Sequence, residues 1–263
     1  MKSAIAIAAH PDDIEFQMAG TLLLLKEAGW ETHYLNLSTG NCGSAEFGAA
    51  KTRRVRRAEA QAAARALGAH WHAPMRDDLE ILYDVKTLRR VSAVIRETRA
   101  SVVLTHSPQD YMEDHTNTCR LAVTAAFTHG MPNFRSVPAR AVYQGDVTVY
   151  HAMPHGLRDG LRRRVVAGAF VNTASVQATK LAALACHQSQ QGWLDVSQGL
   201  NSYLQTMEDM ARELGKMSRK FSHAEGWRRH SHFGFCAADA DPLREALGRK
   251  FLVNAAYERG LEG

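Results

Sequence analysis

A histidine and two adjacent carboxylates, His10, Asp12 and Asp13, directly follow a short apolar run near the N-terminus. If that run is a parallel strand, these side chains lie beyond its carboxyl end, where open α/β sheets bind ligands. Buried charges at such a place need partners, and a divalent cation would supply one. One carboxylate could bind zinc while the other stays free as a base. The alternative is a simple turn, because Pro-Asp-Asp is good turn chemistry and Asp13 could cap a helix.

A second polar cluster follows a later apolar run. It opens with His106 and continues with Asp110, Tyr111, Asp114 and His115. Taken singly, Asp114 could be a helix cap and His106 a histidine that ends a strand. Those explanations treat each residue separately and do not account for two such clusters, each directly after a strand-like run. If the two runs are parallel strands, the clusters lie at the same edge of the sheet. The two clusters together predict a divalent-metal centre.

Apolar runs of strand length alternate with segments of helical period from residue 3 to about residue 150. The predicted strands are Ala4–Ala8, His33–Leu37, His70–His72 and Val102–Thr105. The predicted helices are Gln17–Ala28, Lys51–Leu67, Lys86–Arg99 and Thr116–Phe127. This rhythm predicts an α/β fold, a Rossmann-like three-layer sandwich with a mostly parallel sheet and helices on both faces.

The rest of the chain predicts further strands and a helical C-terminal elaboration. The strands are Ala141–Tyr143, Val147–Tyr150 and Ala169–Asn172, and the helices are Ala174–His187, a stretch from Gly192 to Met217, and Pro242–Tyr257. The segment between Met217 and Pro242 is expected to be irregular. We expect one domain over residues 1–263, with an α/β core that holds the metal site in 1–150 and an elaboration in 151–263 that shapes the pocket.

Composition narrows the function classes. The 263 residues carry a formal charge of +5, but the basic residues are scattered and no aromatic residues alternate with them, which disfavours nucleic-acid binding. The four cysteines form no paired pattern, which disfavours a disulfide framework or a thiolate zinc site. The first apolar run is too short to span a membrane and lacks a cleavage signature, so we expect a cytoplasmic protein without membrane partners.

The two clusters resemble the LmbE-like (PIG-L) N-acetylglucosaminyl deacetylases, and the resemblance covers most of the chain. The matching segments are His10–Asp13, a glycine-containing loop at Ser38–Ser44, Arg56–Glu59 with Leu67-Gly68, Asp114-His115, Lys180 with His187–Gln190, and Ala224–Arg228. The resemblance implies His10, Asp13 and His115 as metal ligands and Asp12 as general base. It also implies that Asp114 orients its neighbours and that Arg56 contacts substrate, unless Arg56 only pairs with Glu59.

One position departs from the family pattern. Many relatives carry His-Pro-Asp-His at the second motif, and their first histidine stabilises the tetrahedral intermediate. Here the segment starts with Met112, which cannot donate a strong hydrogen bond. The oxyanion partner is therefore open, with Tyr111 beside it as one candidate. Four histidines of the C-terminal segment are the others: His187, His223, His230 and His232.

The resemblance implies a zinc-dependent hydrolase that removes an N-acyl group, with acetyl the expected one, from an amino-sugar conjugate. Iron(II), cobalt or manganese could occupy the same nitrogen and oxygen ligands. Asn41 and Tyr111 are further candidates for substrate contact, and Trp193, Tyr203 and Trp227 could stack on a sugar or simply pack. The alternatives are a metal-dependent hydrolase of another bond and a non-catalytic binding protein that keeps the metal. A homo-oligomer is also possible.

Overall fold

The computed structural model describes residues 2–192 and 203–261. Within them, eight strands form one sheet. The strands are β1 Ser3–Ala8, β2 Glu31–Asn36, β3 His70–His72, β4 Val102–Thr105, β5 Thr148–Ala152, β6 Ala169–Asn172, β7 Ala224–Arg229 and β8 Phe251–Val253. The helices are α1 Asp13–Gln17, α2 Ala19–Glu27, α3 Ala49–Leu67, α4 Val85–Thr98, α5 Glu113–Phe127, α6 Gln177–Leu184, α7 Tyr203–Ser218, α8 Pro242–Leu247 and α9 Ala255–Arg259.

The strand order is β3-β2-β1-β4-β5-β7-β6-β8. The first five strands in this order pair in parallel, and β7, β6 and β8 complete the sheet with antiparallel pairs. The predicted α/β sandwich with a mostly parallel sheet is therefore confirmed. The single sheet takes strands from both sides of residue 150, and the division into one domain with an elaboration stays a prediction.

Helices cover both faces of the sheet because successive residues of a buried strand point to opposite sides. On one face, Ala4 and Ala6 of β1 pack with Leu22 and Leu24 of α2 and with Trp227. On the other face, Ile5 and Ile7 pack in a second core cluster, with apolar residues of α4 and α5. Among the helices of the described residues, none is both long enough and apolar enough to cross a bilayer.

The early elements match their predicted positions closely, whereas the later ones need correction. Ala141–Tyr143 is not a strand, because the Tyr143 side chain turns into the core and donates its hydroxyl to the carbonyl of Ala100. The predicted helix Pro242–Tyr257 breaks at Gly248, whose φ is 50°, and Phe251–Val253 pairs with β6 instead. Residues 193–202 of the predicted 192–217 helix lie outside the described residues, and Tyr203–Ser218 is helical as predicted.

The segment expected to be irregular contains β7, a buried strand. Its Glu225 and Gly226 conceal the apolar alternation that would have revealed a strand. The Glu225 carboxylate accepts hydrogen bonds from the backbone N–H groups of Gly20 and Thr21 at the start of α2, each at 2.7 Å. Lys180 of α6 donates to the same carboxylate, also at 2.7 Å, and both side chains are buried. The Glu225 carboxylate therefore ties β7 to the first βα unit, and Lys180 supplies its countercharge.

Candidate active site

The first part of the site lies at the carboxyl end of β1. His10 follows the strand, and Asp13 begins α1 with its carboxylate accepting the backbone N–H of His10 at 2.6 Å. Between them, Asp12 has a φ of 110°, a backbone conformation that is costly for any residue except glycine. Such strain persists where the surrounding structure enforces it, and it is common at functional sites. The turn predicted as an alternative does exist, and it aims both carboxylates beyond the strand.

The second part comes from β4, the neighbour of β1. Ile7 of β1 is in register with Thr105 of β4, so the two strands end side by side. The chain after β4 leads into α5, and His115 lies in the first turn of that helix. A side chain in the first turn of a helix that packs on the sheet is held rigidly. The strand-end rule therefore brings the two clusters together as predicted.

Three ligand atoms converge between the two parts. The ligand atoms of His10, Asp13 and His115 all lie within 4.8 Å of one another. Nδ1 of His10 is 3.4 Å from Oδ2 of Asp13, and Nε2 of His115 is 3.4 Å from Oδ1 of the same carboxylate. These separations suit the ligands of one small cation, and a set of three leaves a coordination position open.

The remaining nitrogen of each histidine is held by a second carboxylate. Oδ2 of Asp114 lies 3.0 Å from Nε2 of His10, and Oδ1 of Asp110 lies 3.1 Å from Nδ1 of His115. A carboxylate behind an imidazole is the usual support of a metal-binding histidine, because it fixes the ring and its tautomer. The predicted orienting role of Asp114 agrees with this geometry. Asp110 orients His115 in the same way, and the sequence alone did not predict this role for it.

The charges of the site also suit a cation. Burial alone would lower the pKa of His10, but its hydrogen bonds to Asp114 and Asp13 raise it to about 10. The pKa of His115 is raised to about 9, because Asp13 and Asp110 outweigh the effect of burial. The carboxylates around the two rings therefore favour positive charge at this place, and a divalent cation would supply it.

A rival set of ligands is His106, Asp110 and His115. However, Nε2 of His106 already accepts the backbone N–H of Ala9 at 2.9 Å, which occupies its lone pair. Its Nδ1 lies 3.1 Å from Oε1 of Gln17, and its ring stacks on that of His115 at 4.1 Å. Burial, with His115 nearby, lowers the pKa of His106, which favours the neutral ring. We conclude that His106 packs and positions His115 rather than binding a metal.

Asp12 lies beside the ligands. Burial raises the pKa of its carboxyl, and the neighbouring Arg56 partly opposes this effect. Oδ2 accepts the hydroxyl of Tyr203 at 2.8 Å and lies 3.3 Å from Nη2 of Arg56. Arg56 also donates to the carbonyl of Pro11, whereas Glu59, its suggested alternative partner, accepts hydrogen bonds from Ser189. Arg56 is therefore fixed against the base.

These groups open into a cavity of about 350 Å³. Its lining includes the three candidate ligands, Asp12, Arg56 and Tyr111, together with side chains from several other segments. The other lining residues are Phe16, Gln17, Gly40, Cys42, Gly43, Asp78, Leu79, Met112, His155 and Gln190. The site is therefore a concave pocket in which a base, a candidate metal set and a guanidinium converge.

Residues 5–126 match the family described as PIG-L, GlcNAc-PI de-N-acetylase. A relative from Pseudomonas putida, a 4-oxalmesaconate hydratase, is 31% identical over 72% of this chain and 74% of its own length. The chain belongs to the PIG-L family. A diacetylchitobiose deacetylase of Thermococcus kodakarensis is 29% identical over 87% of this chain and 83% of its own. The solved 4-carboxy-2-hydroxymuconate hydratase of Pseudomonas putida superposes with a TM-score of 0.73, at 27% identity, over 87% of this chain and 96% of that one.

The PIG-L family thus includes enzymes with different reactions, and residues outside its shared motifs matter. Asn41, a predicted substrate contact, is not among the residues that line the cavity. Its side-chain oxygen accepts the backbone N–H of Asp78 at 2.8 Å, so it shapes the loop instead. Trp227 is fully buried and donates to Thr21, and the Tyr203 ring is buried with its hydroxyl on Asp12. Trp193 lies outside the described residues.

The four suggested C-terminal histidines do not line the cavity of this PIG-L protein. His187 faces Glu15, His223 bonds Glu208, His230 bonds His151, and His232 packs on Phe233. Besides His10 and His115, the cavity lining includes His155, on the turn after β5, which sequence reasoning missed. The signal was available, because His155 follows the carboxyl end of a third parallel strand. Gln190, in a segment that resembles the family, also lines the cavity and donates to the carbonyl of Gly43 at 3.0 Å.

Proposed function

We propose that this protein is a metal-dependent N-deacetylase that hydrolyses the amide of an N-acylated amino-sugar conjugate. The observation that carries the proposal is the convergence of His10, Asp13 and His115, each histidine supported by a carboxylate, next to the carboxylate of Asp12. These three residues would hold the metal, with zinc the expected ion and iron(II) an alternative. When bound, the cation would lower the pKa of water and polarise the acyl carbonyl.

The base is Asp12. Its contacts with Tyr203 and Arg56 both use Oδ2, and no described residue hydrogen-bonds Oδ1. Oδ1 can therefore accept a proton from water as the water oxygen adds to the acyl carbon. When the C–N bond breaks, the protonated Asp12 can return that proton to the leaving nitrogen. The products are acetate and a free amine.

His155 is our candidate for the donor that Met112 cannot provide. Its ring lies edge-on to Phe16 at 5.2 Å within the cavity lining, and burial lowers its pKa. A neutral imidazole keeps one N–H, which can donate to the carbonyl oxygen as negative charge develops there. One such donor commonly contributes about 3 kcal/mol to the transition state.

The charges of the lining favour a neutral substrate. The cavity carries three carboxylates, Asp12, Asp13 and Asp78, and the Arg56 guanidinium is the one Arg or Lys side chain of its described lining. Because Arg56 already pairs with Asp12, the described lining offers an anionic substrate no unpaired guanidinium or ammonium group. Addition of water to a carbon–carbon double bond is the second candidate reaction, because a hydratase is among the relatives. A cytoplasmic location and assembly into a homo-oligomer stay predictions.

The test combines metal content with amine release from a panel of N-acetylated amino sugars. We expect about one metal per chain and amine release for the wild type, and loss of both in His115→Ala. Asp12→Asn should keep its metal and lose activity by roughly 10²- to 10⁴-fold. His232→Ala, which alters a histidine outside the cavity, serves as the control. Metal binding without amine release from any member of the panel would contradict the proposal, and loss of metal from Asp12→Asn would make Asp12 a ligand.

A further inference from the structure

An apolar side chain stands at the mouth of the cavity in a strained conformation. Leu79 lines the cavity, yet it is 70% exposed. Its φ of 63° lies in the left-handed region, which leucine rarely occupies. Packing does not explain this position, because an exposed leucine buries little surface. Strain held at the edge of a pocket instead suggests a role in binding.

The surrounding hydrogen bonds fix Leu79 relative to the site. Its backbone N–H donates to Oδ2 of Asp114 at 2.8 Å, the same oxygen that lies 3.0 Å from Nε2 of His10. The preceding residue, Asp78, accepts the backbone N–H groups of Gly40 and Cys42 at 2.8 and 2.9 Å. The leucine therefore cannot move away without disturbing the groups that support the candidate metal ligands.

A second exposed apolar group lines the same cavity. Tyr111 is 49% exposed, and its ring lies edge-on to His115 with centroids 5.7 Å apart. Met112 follows it in the lining and is half-buried. Apolar surface is therefore continuous with the reaction centre, whereas Asp12, Asp78 and Arg56 supply the polar lining. A substrate that fills the cavity would place its outer part against Leu79 and Tyr111.

We propose that Leu79 and Tyr111 form a subsite for an apolar or aromatic substituent of the substrate, the aglycone when the substrate is an amino sugar. The inference rests on the proposed deacetylase function for the identity of the group inside the cavity. An aryl group would pack on the tyrosine ring and against the leucine side chain. The protein would accordingly prefer aryl or alkyl glycosides over methyl glycosides or free sugars.

Binding is tested with compounds that the proposed reaction does not consume. Calorimetry on the metal-loaded protein compares phenyl and methyl 2-amino-2-deoxyglucopyranoside, in both anomeric forms. We expect the phenyl compound to bind roughly tenfold more tightly in at least one form. Leu79→Asn should abolish most of this preference, because asparagine tolerates the left-handed backbone but removes the apolar surface. Leu79→Met should keep it.

The matched control is Leu82→Asn, the same exchange at a leucine of the same loop that is 61% exposed and does not line the cavity. The preference should persist in that variant. Equal affinity of the two compounds for the wild type, binding of neither, or a preference that survives in Leu79→Asn would overturn the subsite. Amine release from the corresponding N-acetyl glycosides is measured in parallel. A binding preference without any amine release would leave the subsite standing and refute the proposed reaction.

Discussion

The two halves of the sheet contribute to the cavity in different ways. In the parallel half, the segments that follow β1, β4 and β5 deliver His10, His115 and His155 directly into the site. In the C-terminal half, Gln190 of the segment after α6 lines the cavity and contacts Gly43, and Tyr203 of α7 supports Asp12 from behind the lining. Reactive groups therefore come from parallel strand ends, and the groups that hold them in place come from the later elements.

This difference follows from topology. Parallel strands all end at one edge, so polar residues placed after several of them must meet. Antiparallel strands alternate in direction and share no such edge, so they contribute through packing and single long-range contacts. If this division is correct, changes in the C-terminal half should weaken the site by loosening it, without removing a reactive group.

The largest effect is expected at the buried ion pair between Lys180 and Glu225 in the C-terminal half, because the Glu225 carboxylate also accepts the backbone N–H groups of Gly20 and Thr21 in the first half. Lys180→Met should destabilise the protein by about 3–5 kcal/mol, because it leaves a buried carboxylate without its countercharge. The free energy of unfolding from urea titration measures this loss. Metal-binding residues are untouched, so metal content of the folded protein should stay at the wild-type level.

Lys250→Met is the matched control, because Lys250 pairs with Glu27 at an exposed position. Its effect should be no more than about 1 kcal/mol. The double variant Lys180→Met with Glu225→Met tests whether the stability lost in Lys180→Met comes from the unpaired charge or from altered packing. Equal stability of Lys180→Met and the wild type would show that the halves do not depend on this pair.

A smaller effect is expected at Tyr203, the C-terminal contact to the base. Burial raises the pKa of Asp12, and the Tyr203 hydroxyl lowers it by donating to the carboxylate. Tyr203→Phe removes that donor, so the pKa should rise further and the acid limb of kcat/KM should move to higher pH. We also expect kcat to fall roughly tenfold, since the carboxylate loses a positioning contact.

The pH profile of amine release decides this prediction, with metal content measured in the same samples. Tyr143→Phe is the control, because that hydroxyl donates to the carbonyl of Ala100 outside the cavity. An acid limb that stays in place in Tyr203→Phe would mean that the hydroxyl does not affect the base. A loss of metal would mean that it supports the ligands instead.

The same division explains what could be predicted from the sequence. Val102–Thr105 and His70–His72 were predicted to the residue, because each is a short segment that follows a clear helix in the alternation typical of parallel strands. The convergence of His10, Asp13 and His115 followed from the strand-end rule. Predicting β5 to end at Tyr150 instead of Ala152 concealed His155, which follows the strand in the same way.

The supporting contacts could not be predicted in this way. Nothing local in the sequence connects Tyr203 with Asp12, which are far apart in the chain. The short polar strand β7 lacks an alternating pattern, and Glu225 acts through backbone groups of α2 that no motif marks. Asn41 was predicted to contact substrate because its loop matches the family, and the structure shows its side chain accepting the backbone N–H of Asp78 instead of lining the cavity. Long-range packing decided each of these positions.

The smallest effect concerns a histidine of the parallel half that does not follow a strand end. His33 lies within β2, next to His70 and His72 of β3, and burial with these neighbours lowers its pKa to about 4. Its ordinary value in an unfolded chain is near 6.5, so between about pH 6.5 and 4 the unfolded state binds more protons. The stability that His33 confers as a neutral ring is therefore present above pH 6.5 and is lost as the pH falls toward 4. Between pH 7 and pH 5, the free energy of unfolding should fall by about 1 kcal/mol less in His33→Gln than in the wild type, a value already reduced for partial screening by solvent.

Urea unfolding at a series of pH values measures this dependence of stability on pH, with His232→Gln as the control. Activity per folded molecule at pH 7 should be unchanged, because His33 is not among the residues that line the cavity. A loss of activity in His33→Gln would mean that the middle of a strand, and not only its end, affects the chemistry of this fold.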